Sequence, residues 1–109
     1  MVKRKIDKQI LESVRTYLTK VSEFYKIDDA LIFGSYAKGT QHKDSDIDLA
    51  IISRDVNDRI TDMGKMFALT WGINTSIEPY PINTEDYKSN SISPIISEII
   101  RTGVPVYHN

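Results

Sequence analysis

The stretch FGSYAKGTQHKDSDIDLAII, residues 33–52, holds a Gly-Ser turn and two closely spaced aspartates. An apolar run ends at Gly34-Ser35, and a polar loop then leads to Asp46 and Asp48, which stand at the start of a second apolar run. A carboxylate is costly to place in an apolar strand unless something compensates its charge. The pattern therefore predicts either a solvated strand edge or a site that binds a cation.

Length and composition limit the classes of protein. The 109 residues suffice for one hydrophobic core and predict a single domain over residues 1–109. The net charge of −1 argues against direct nucleic-acid binding, which usually needs a basic surface. With no cysteine, disulfides, zinc-thiolate sites and thiol catalysis are excluded. The sequence has neither a membrane-length apolar stretch nor a signal-peptide pattern, so we expect a cytoplasmic protein.

Apolar periodicity predicts an alternating order of helices and strands. The sheet has about four strands and is covered by helices, which makes a two-layer α/β (α+β) domain. Two prolines, Pro79 and Pro81, predict that the third strand is interrupted or lies at an edge of the sheet. The predicted helices span residues 4–25, 35–38, 56–71 and 94–102, with a short helix capped at 84–86. The predicted strands span residues 30–33, 46–53, 73–82 and 104–107.

Two helices are predicted to bury an apolar stripe. In the first helix, Phe24 and Tyr25 continue the stripe toward its carboxyl end. In the helix over 56–71 the spacing favours core packing over a ligand-binding face, with Met66 on the flank. The residues of this second stripe are Val56, Ile60, Met63, Phe67 and Trp71.

Strand alternation places Asp46 and Asp48 on one face and Ile47, Leu49 and Ile51 on the other. Two carboxylates on one face repel each other and raise a pKa unless a cation lies between them. Oxygen ligands favour Mg²⁺, with Mn²⁺ as a substitute, and a magnesium site typically combines one or two carboxylates with substrate phosphates. Taken alone, the pair is more often a solvated strand edge than a metal site, so the assignment depends on what lies beside it in the sequence.

The Gly-Ser turn supplies donors for a phosphate. Gly34 lets the backbone approach a ligand closely, and the Ser35 amide and hydroxyl can both donate to phosphate oxygens. Lys38 can add a cation to the same site. Phosphate donors at one strand end and a metal-binding Asp-x-Asp pair on the next strand are a combination that suits phosphoryl or nucleotidyl transfer.

The segments GSYAKG (residues 34–39) and SDIDL (residues 45–49) resemble the signature of the nucleotidyltransferase superfamily that includes DNA polymerase beta. Within it they look most like the minimal nucleotidyltransferases, the MNT proteins. The resemblance implies a nucleotidyltransferase fold. It also implies that Asp46, Asp48 and a third carboxylate, Glu78, are catalytic and bind metal, and that Ser45 joins the residues that bind the nucleotide phosphates.

The same resemblance implies a reaction and a partner. MNT proteins are often paired with a HEPN-domain toxin, to which they act as antitoxin. The implied activity is Mg²⁺-dependent transfer of AMP from ATP to a tyrosine hydroxyl of that toxin.

Two other functions stay open at the level of sequence. One is a catalytically weak or inactive MNT module that neutralises its partner by binding alone, since many relatives carry Asp where this chain has Glu78. The other is a nucleotidyltransferase for a small molecule of the aminoglycoside type, which would require a homo-oligomer to build its acceptor pocket. The sequence does not decide the oligomeric state, the base preference or the surface that meets a partner.

Overall fold

A computed structural model describes residues 6–89 and 93–109 of the chain. These residues form five helices and four strands, and none of the helices is long and apolar enough to cross a membrane. The helices are α1 (Lys8–Val21), α2 (Ser35–Lys38), α3 (Arg59–Ala68), α4 (Thr84–Ser89) and α5 (Pro94–Thr102). The strands are β1 (Ile27–Phe33), β2 (Ile47–Ser53), β3 (Ile77–Asn83) and β4 (Val104–His108).

The four strands form one mixed sheet in the order β3-β2-β1-β4. β1 pairs antiparallel with both β2 and β4, whereas β2 and β3 are parallel and are connected through α3. The starts of β2 and β3 therefore lie at the same end of the sheet as the end of β1. The α+β class and the edge position predicted for the proline-containing strand β3 are both confirmed.

Apolar side chains cover both faces of the sheet. On one face, α1 and Met66 of α3 pack on a buried cluster that includes Ile32, Leu49 and Ile77. On the other face, α5 packs through Ile99 on a smaller cluster. The strand members of this smaller cluster are Leu31, Phe33, Ala50, Ile52 and Ile82.

The first helix is shorter than predicted. Asp7 caps its start by accepting hydrogen bonds from the Gln9 and Ile10 amides, and the helix ends at Val21. A turn follows, and it leaves Phe24 61% exposed while Tyr25 is buried, so the prediction that Phe24 belongs to the core is wrong. Residues 4 and 5 of the predicted helix lie outside the described residues.

The first strand begins at Ile27, three residues earlier than predicted. Asp28 and Asp29 lie inside it because their carboxylates find partners at that end of the sheet. Asp28 accepts a hydrogen bond of 2.6 Å from the Thr84 hydroxyl, and Asp29 lies 2.5 Å from Nδ1 of His108 on β4. The two acids therefore belong to β1, although the predicted strand begins after them at residue 30.

The inner face predicted for the helix over 56–71 is only partly right. Val56 is buried but precedes α3, which spans Arg59–Ala68, and Met63 is partly buried. Ile60, Phe67 and Trp71 are 84%, 48% and 78% exposed, while Met66 and Asp62 are buried. Asp62 is tolerated inside because its carboxylate accepts three hydrogen bonds. The donors are the Tyr25 hydroxyl and the Asn57 and Asp58 amides.

The third strand begins at Ile77, four residues later than predicted. The intervening residues form hydrogen-bonded turns in which the Asn74 amide donates to the Thr70 carbonyl and the Ile77 amide donates to the Asn74 carbonyl. These turns carry the chain from α3 to the edge of the sheet, where the Ile47 amide donates to the Ser76 carbonyl over 2.8 Å.

Candidate active site

Three strands bring acidic residues together at one end of the sheet. Asp48 of β2 pairs in register with Phe33 at the end of β1 and with Glu78 of β3. Neighbouring strands lie about 5 Å apart, so the side chains of Asp48 and Glu78 emerge side by side on one face. Asp46 precedes β2 and is exposed, and Ile47 is buried on the opposite face. The structure therefore gathers the three acids singled out in the sequence.

Gly34 fits the site for two separate reasons. Its backbone has φ 73° and ψ −146°, a region that is essentially restricted to glycine. A Cβ at this position would also collide with a carboxylate oxygen of Asp48. The backbone after β1 therefore lies directly against the side chain of Asp48 on β2. The close approach of Gly34 to a ligand stays a prediction.

The short helix α2 follows Gly34 directly. It begins at Ser35, which is partly exposed, and ends at Lys38, and Gly39 follows in a left-handed conformation with φ 75°. The first amides of a helix have no partner within the helix, so they remain available to an anion together with the Ser35 hydroxyl. Lys38 points toward α5, where its Nζ lies 3.7 Å from a carboxylate oxygen of Glu98.

Ser45 shapes the loop before Asp46. Its hydroxyl accepts a hydrogen bond of 2.9 Å from the His42 amide, and its own amide donates to the His42 carbonyl over 2.9 Å. These two bonds close a turn that delivers the chain to β2. The role of Ser45 in phosphate binding stays a prediction, and so does that of Lys38.

Burial and mutual repulsion raise the pKa values of two of the three acids. The pKa of Asp48 is raised, first by burial and then by the negative charge of Asp46. The pKa of Glu78 is also raised, by burial, by a hydrogen bond with the Asp46 carboxyl and by the charges of both aspartates. Like charges held this close favour protonation or a bound cation. Perturbed carboxyls gathered at one point are a common mark of a functional site.

A divalent cation fits this set of donors. Within residues 6–89 and 93–109 no three His, Cys, Asp or Glu side chains are arranged as a preformed metal cage. Magnesium seldom uses such a cage, because it usually takes one or two carboxylates and completes its shell with substrate phosphates and water. Asp46 and Asp48 are the two carboxylates best placed for this role, because they have the same strand parity and lie at the start of β2.

Two aromatic residues lie next to the acids, and from sequence alone one of them, Tyr80, is a candidate either for contact with the base or partner or for packing. Phe33 and Tyr80 meet edge to face with their ring centroids 6.0 Å apart, and Tyr80 stands two positions after Glu78 on the same face of β3. Nη1 of Arg59 donates a hydrogen bond of 2.6 Å to the Tyr80 hydroxyl. The only signal for this group in the sequence is that Tyr80 shares the strand parity of Glu78.

Comparison with known proteins assigns nearly the whole chain to one protein family. The family model "Polymerase beta, Nucleotidyltransferase" matches residues 12–109. A protein of Methanocaldococcus jannaschii named "Putative protein adenylyltransferase" is 30% identical over 95% of this chain and 76% of its own length.

Solved structures share the fold. One is a toxin-antitoxin complex with AMP-PNP, with a TM-score of 0.58 and 21% identity over 91% of this chain and 73% of that chain. Another is a tri-AMPylated Shewanella oneidensis HEPN toxin in complex with an MNT antitoxin, with a TM-score of 0.52 and 18% identity over 93% and 73% of the two chains. At these identities the likeness concerns the fold alone.

Proposed function

This chain belongs to the polymerase beta nucleotidyltransferase family, and from that premise we propose that it is a Mg²⁺-dependent protein adenylyltransferase. Its donor is ATP, its acceptor is a tyrosine hydroxyl of a HEPN-type toxin, and the transfer makes it an antitoxin. The relative from Methanocaldococcus jannaschii supports a protein as the acceptor through its name. The resemblance of the GSYAKG and SDIDL segments to MNT proteins supports the partner.

One observation carries the proposal. Asp48 and Glu78 are paired in register on adjacent strands, and the Gly34 backbone lies so close to Asp48 that a side chain there would collide with it. Carboxylates that repel one another beside a glycine turn are poorly suited to a structural role. They suit a site that receives a metal together with the phosphates of a nucleotide.

Each part of the site has a proposed task. Asp46 and Asp48 hold Mg²⁺, which, when bound, neutralises phosphate charge and activates the acceptor oxygen. The Ser35 amide and hydroxyl, with the backbone of Gly34, hold the phosphates, and Lys38 and Ser45 complete this group.

The reaction forms one bond and breaks another. The acceptor oxygen attacks the α-phosphorus of ATP, the bond from that phosphorus to the bridging oxygen breaks, and pyrophosphate leaves. The proton of the acceptor hydroxyl goes to a carboxylate, and we assign this role to Glu78, which pairs in register with Asp48.

The test is transfer of label from α-³²P-ATP, with Mg²⁺, to the protein encoded by the adjacent gene. Asp48→Asn is expected to lower the rate by about 100-fold or more, because the change removes a metal ligand and keeps the shape of the side chain. Asp44→Asn, in the exposed loop of the same segment, is the matched control and should transfer like the parent.

Two outcomes would contradict the proposal. Equal transfer by the parent and Asp48→Asn would remove the metal assignment. If the parent and Asp48→Asn both bind and neutralise the partner tightly and neither transfers label, the chain would be an inactive MNT module that acts by binding alone.

A further inference from the structure

One tyrosine of the chain lies beside the acidic residues. Tyr80 stands two positions after Glu78 on β3, and side chains two positions apart in a strand point to the same face. Tyr80 also pairs in register with Ala50, which stands two positions after Asp48 on β2. Because the Ala50 side chain is small, the Tyr80 ring can meet the Phe33 ring across β2, edge to face. A phenol therefore lies on the face of the sheet that carries the acids.

The other five tyrosines lie elsewhere in the fold. Three of them belong to the buried cluster on the opposite face of the sheet or pack against it, namely Tyr17, Tyr25 and Tyr36. Tyr87 of α4 lines a cavity with Asp28 and Asp29 at the start of β1, the end away from the acids, and Tyr107 lies on the far edge strand β4. Among the described residues, which include all six tyrosines, Tyr80 is thus the only tyrosine on the acidic face next to the acids.

Arg59 holds the hydroxyl of Tyr80. Its Nη1 donates a hydrogen bond of 2.6 Å to that hydroxyl, and its guanidinium carbon lies 5.1 Å from the centre of the Tyr80 ring. Arg59 is exposed and is the first residue of α3, which packs on the opposite face of the sheet. Its side chain therefore reaches Tyr80 past β3, the outermost strand on that side of the sheet.

The bond to Arg59 turns the Tyr80 hydroxyl away from the acids. Since α3 leads from the end of β2 to the start of β3, its first residue lies toward the end of the sheet opposite the acids. Arg59 and Tyr80 line a cavity of about 260 Å³ together with Ile82 and Asn83, the last two residues of β3. The hydroxyl therefore points toward the carboxyl end of β3, whereas Glu78 stands at its start.

Rotation of the Tyr80 side chain would reverse this direction. The Cα atoms of residues two apart in a strand are about 7 Å apart, a distance comparable with the length of a tyrosine side chain. A change of rotamer at Tyr80 would thus bring its oxygen to Glu78 and Asp48. There the hydroxyl would occupy the place proposed above for the oxygen of the acceptor tyrosine.

We propose that Tyr80 is a latent acceptor of AMP and that Arg59 is a positioning residue which keeps the enzyme from modifying itself. The inference rests on the proposed function and extends it by naming a second acceptor for the same site. In the released rotamer the Tyr80 oxygen attacks the α-phosphorus of ATP and an oxygen–phosphorus bond forms. The bond from that phosphorus to the bridging oxygen breaks, pyrophosphate leaves, and the phenol proton goes to Glu78.

Self-labelling tests this inference without any partner protein. Parent and variants are incubated with α-³²P-ATP and Mg²⁺, and the modified residue is located by peptide mass spectrometry. Arg59→Met keeps a good helix former and removes the hydrogen-bond donors. A hydrogen bond from a charged donor favours the held rotamer by about 10- to 100-fold, so Arg59→Met should label itself at Tyr80 at least about 10-fold faster than the parent.

Two further variants are the controls. Arg54→Met removes another exposed arginine, one that pairs with Asp28 at the far end of the sheet, and should label itself no faster than the parent. Adding Tyr80→Phe to Arg59→Met keeps the ring but removes the oxygen, and should abolish the label. A merely structural Arg59 predicts a different result, namely a less stable Arg59→Met protein with no AMP on Tyr80.

The outcomes separate this inference from the proposed function. If Arg59→Met labels Tyr80 and the parent leaves the protein encoded by the adjacent gene unlabelled, the latent acceptor stands and the proposed partner is wrong. If the parent labels that protein and Arg59→Met does not label Tyr80, the inference is wrong and the proposed function stands. Equal labelling of Tyr80 in the parent and Arg59→Met would overturn the role of Arg59. Absence of label on every protein overturns both.

Discussion

Two constraints act on Gly34, one from its backbone conformation and one from the neighbouring side chain of Asp48. Its φ of 73° and ψ of −146° exclude other residues on steric grounds, and the Asp48 carboxylate occupies the space where a side chain would begin. Two other glycines separate these effects. Gly72 has a positive φ of 80° with open space around it, and Gly64 has open space within a helix.

Alanine at these three glycines should give three different results. Gly34→Ala is expected to lower the free energy of unfolding by about 3 kcal/mol or more, from strain and collision together. Gly72→Ala should cost about 1–2 kcal/mol from strain alone. Gly64→Ala should raise stability by about 0.5–1 kcal/mol, because alanine favours a helix. Urea unfolding checks the order, and equal costs at Gly34 and Gly72 would mean that Asp48 is not in the way.

The negative charge of Asp48 destabilises the folded protein when no metal is bound. A carboxyl whose pKa is raised by folding contributes stability that is fully present below its unfolded pKa and is lost as pH rises through the folded value. At neutral pH and without metal, Asp48→Asn should therefore raise the free energy of unfolding by about 1 kcal/mol. Thermal unfolding of both proteins from about pH 4 to 7 tests this, since the stability of the parent should fall more steeply with pH. Parallel pH curves would contradict it.

At the scale of elements, a buried carboxylate fixes the orientation of α3 together with the buried Met66. Asp62 is 6% exposed and accepts hydrogen bonds from the Tyr25 hydroxyl and from the Asn57 and Asp58 amides. These bonds join α3 to the turn that follows α1 and to the loop that precedes α3. Burial alone would raise the pKa of Asp62, but its hydrogen bonds, with Lys65 nearby, outweigh burial and lower it.

Asp62→Ala should therefore destabilise the protein by about 3 kcal/mol, because three donors lose a charged acceptor. The matched control is Asp58→Ala, which removes an exposed helix cap that accepts from the Ile60 amide and should cost about 1 kcal/mol. Because the folded pKa of Asp62 is lowered, its contribution is present above about pH 4 and is lost as pH falls through the folded value. The difference in free energy of unfolding between the parent and Asp62→Ala should therefore become smaller at low pH. Urea unfolding at pH 3 and at pH 7 measures this difference.

At the scale of the whole molecule, the acidic end of the sheet joins segments that are far apart in sequence. The end of β1, the starts of β2 and β3 and the short α2 all contribute to the site. A ligand that binds all of these segments stabilises the folded chain as a unit, by an amount set by its concentration relative to Kd.

Mg²⁺ and ATP together, at about 100 times Kd, should raise the free energy of unfolding of the parent by about 2.7 kcal/mol. Either component alone should give a much smaller shift, since the metal takes part of its shell from the phosphates. Asp48→Asn should lose most of the combined shift, and Asp44→Asn should keep it. Differential scanning fluorimetry makes the comparison without any acceptor protein, and an equal shift for Asp48→Asn would exclude that residue as a metal ligand.

The sequence by itself determined the element types, the edge position of the proline strand and the acidic pair after a glycine turn. These features depend on local periodicity, on the missing amide of proline and on chain neighbours. Only the tertiary structure decided which face of α3 is buried. The buried Asp62 is compensated by Tyr25, which lies 37 positions away in the chain, so a rule that turns apolar residues inward selected the wrong face.

The acidic site is divided in the same way. Gly34, Asp46 and Asp48 lie within one stretch, residues 34–48, so the sequence alone predicted that they belong to one site. The register of Glu78 with Asp48 required the parallel pairing of β2 and β3, and the contact of Gly34 with Asp48 required the antiparallel pairing of β1 and β2. The local pattern restricts which face of a strand is buried, but which strands pair is decided by contacts between segments far apart in the chain.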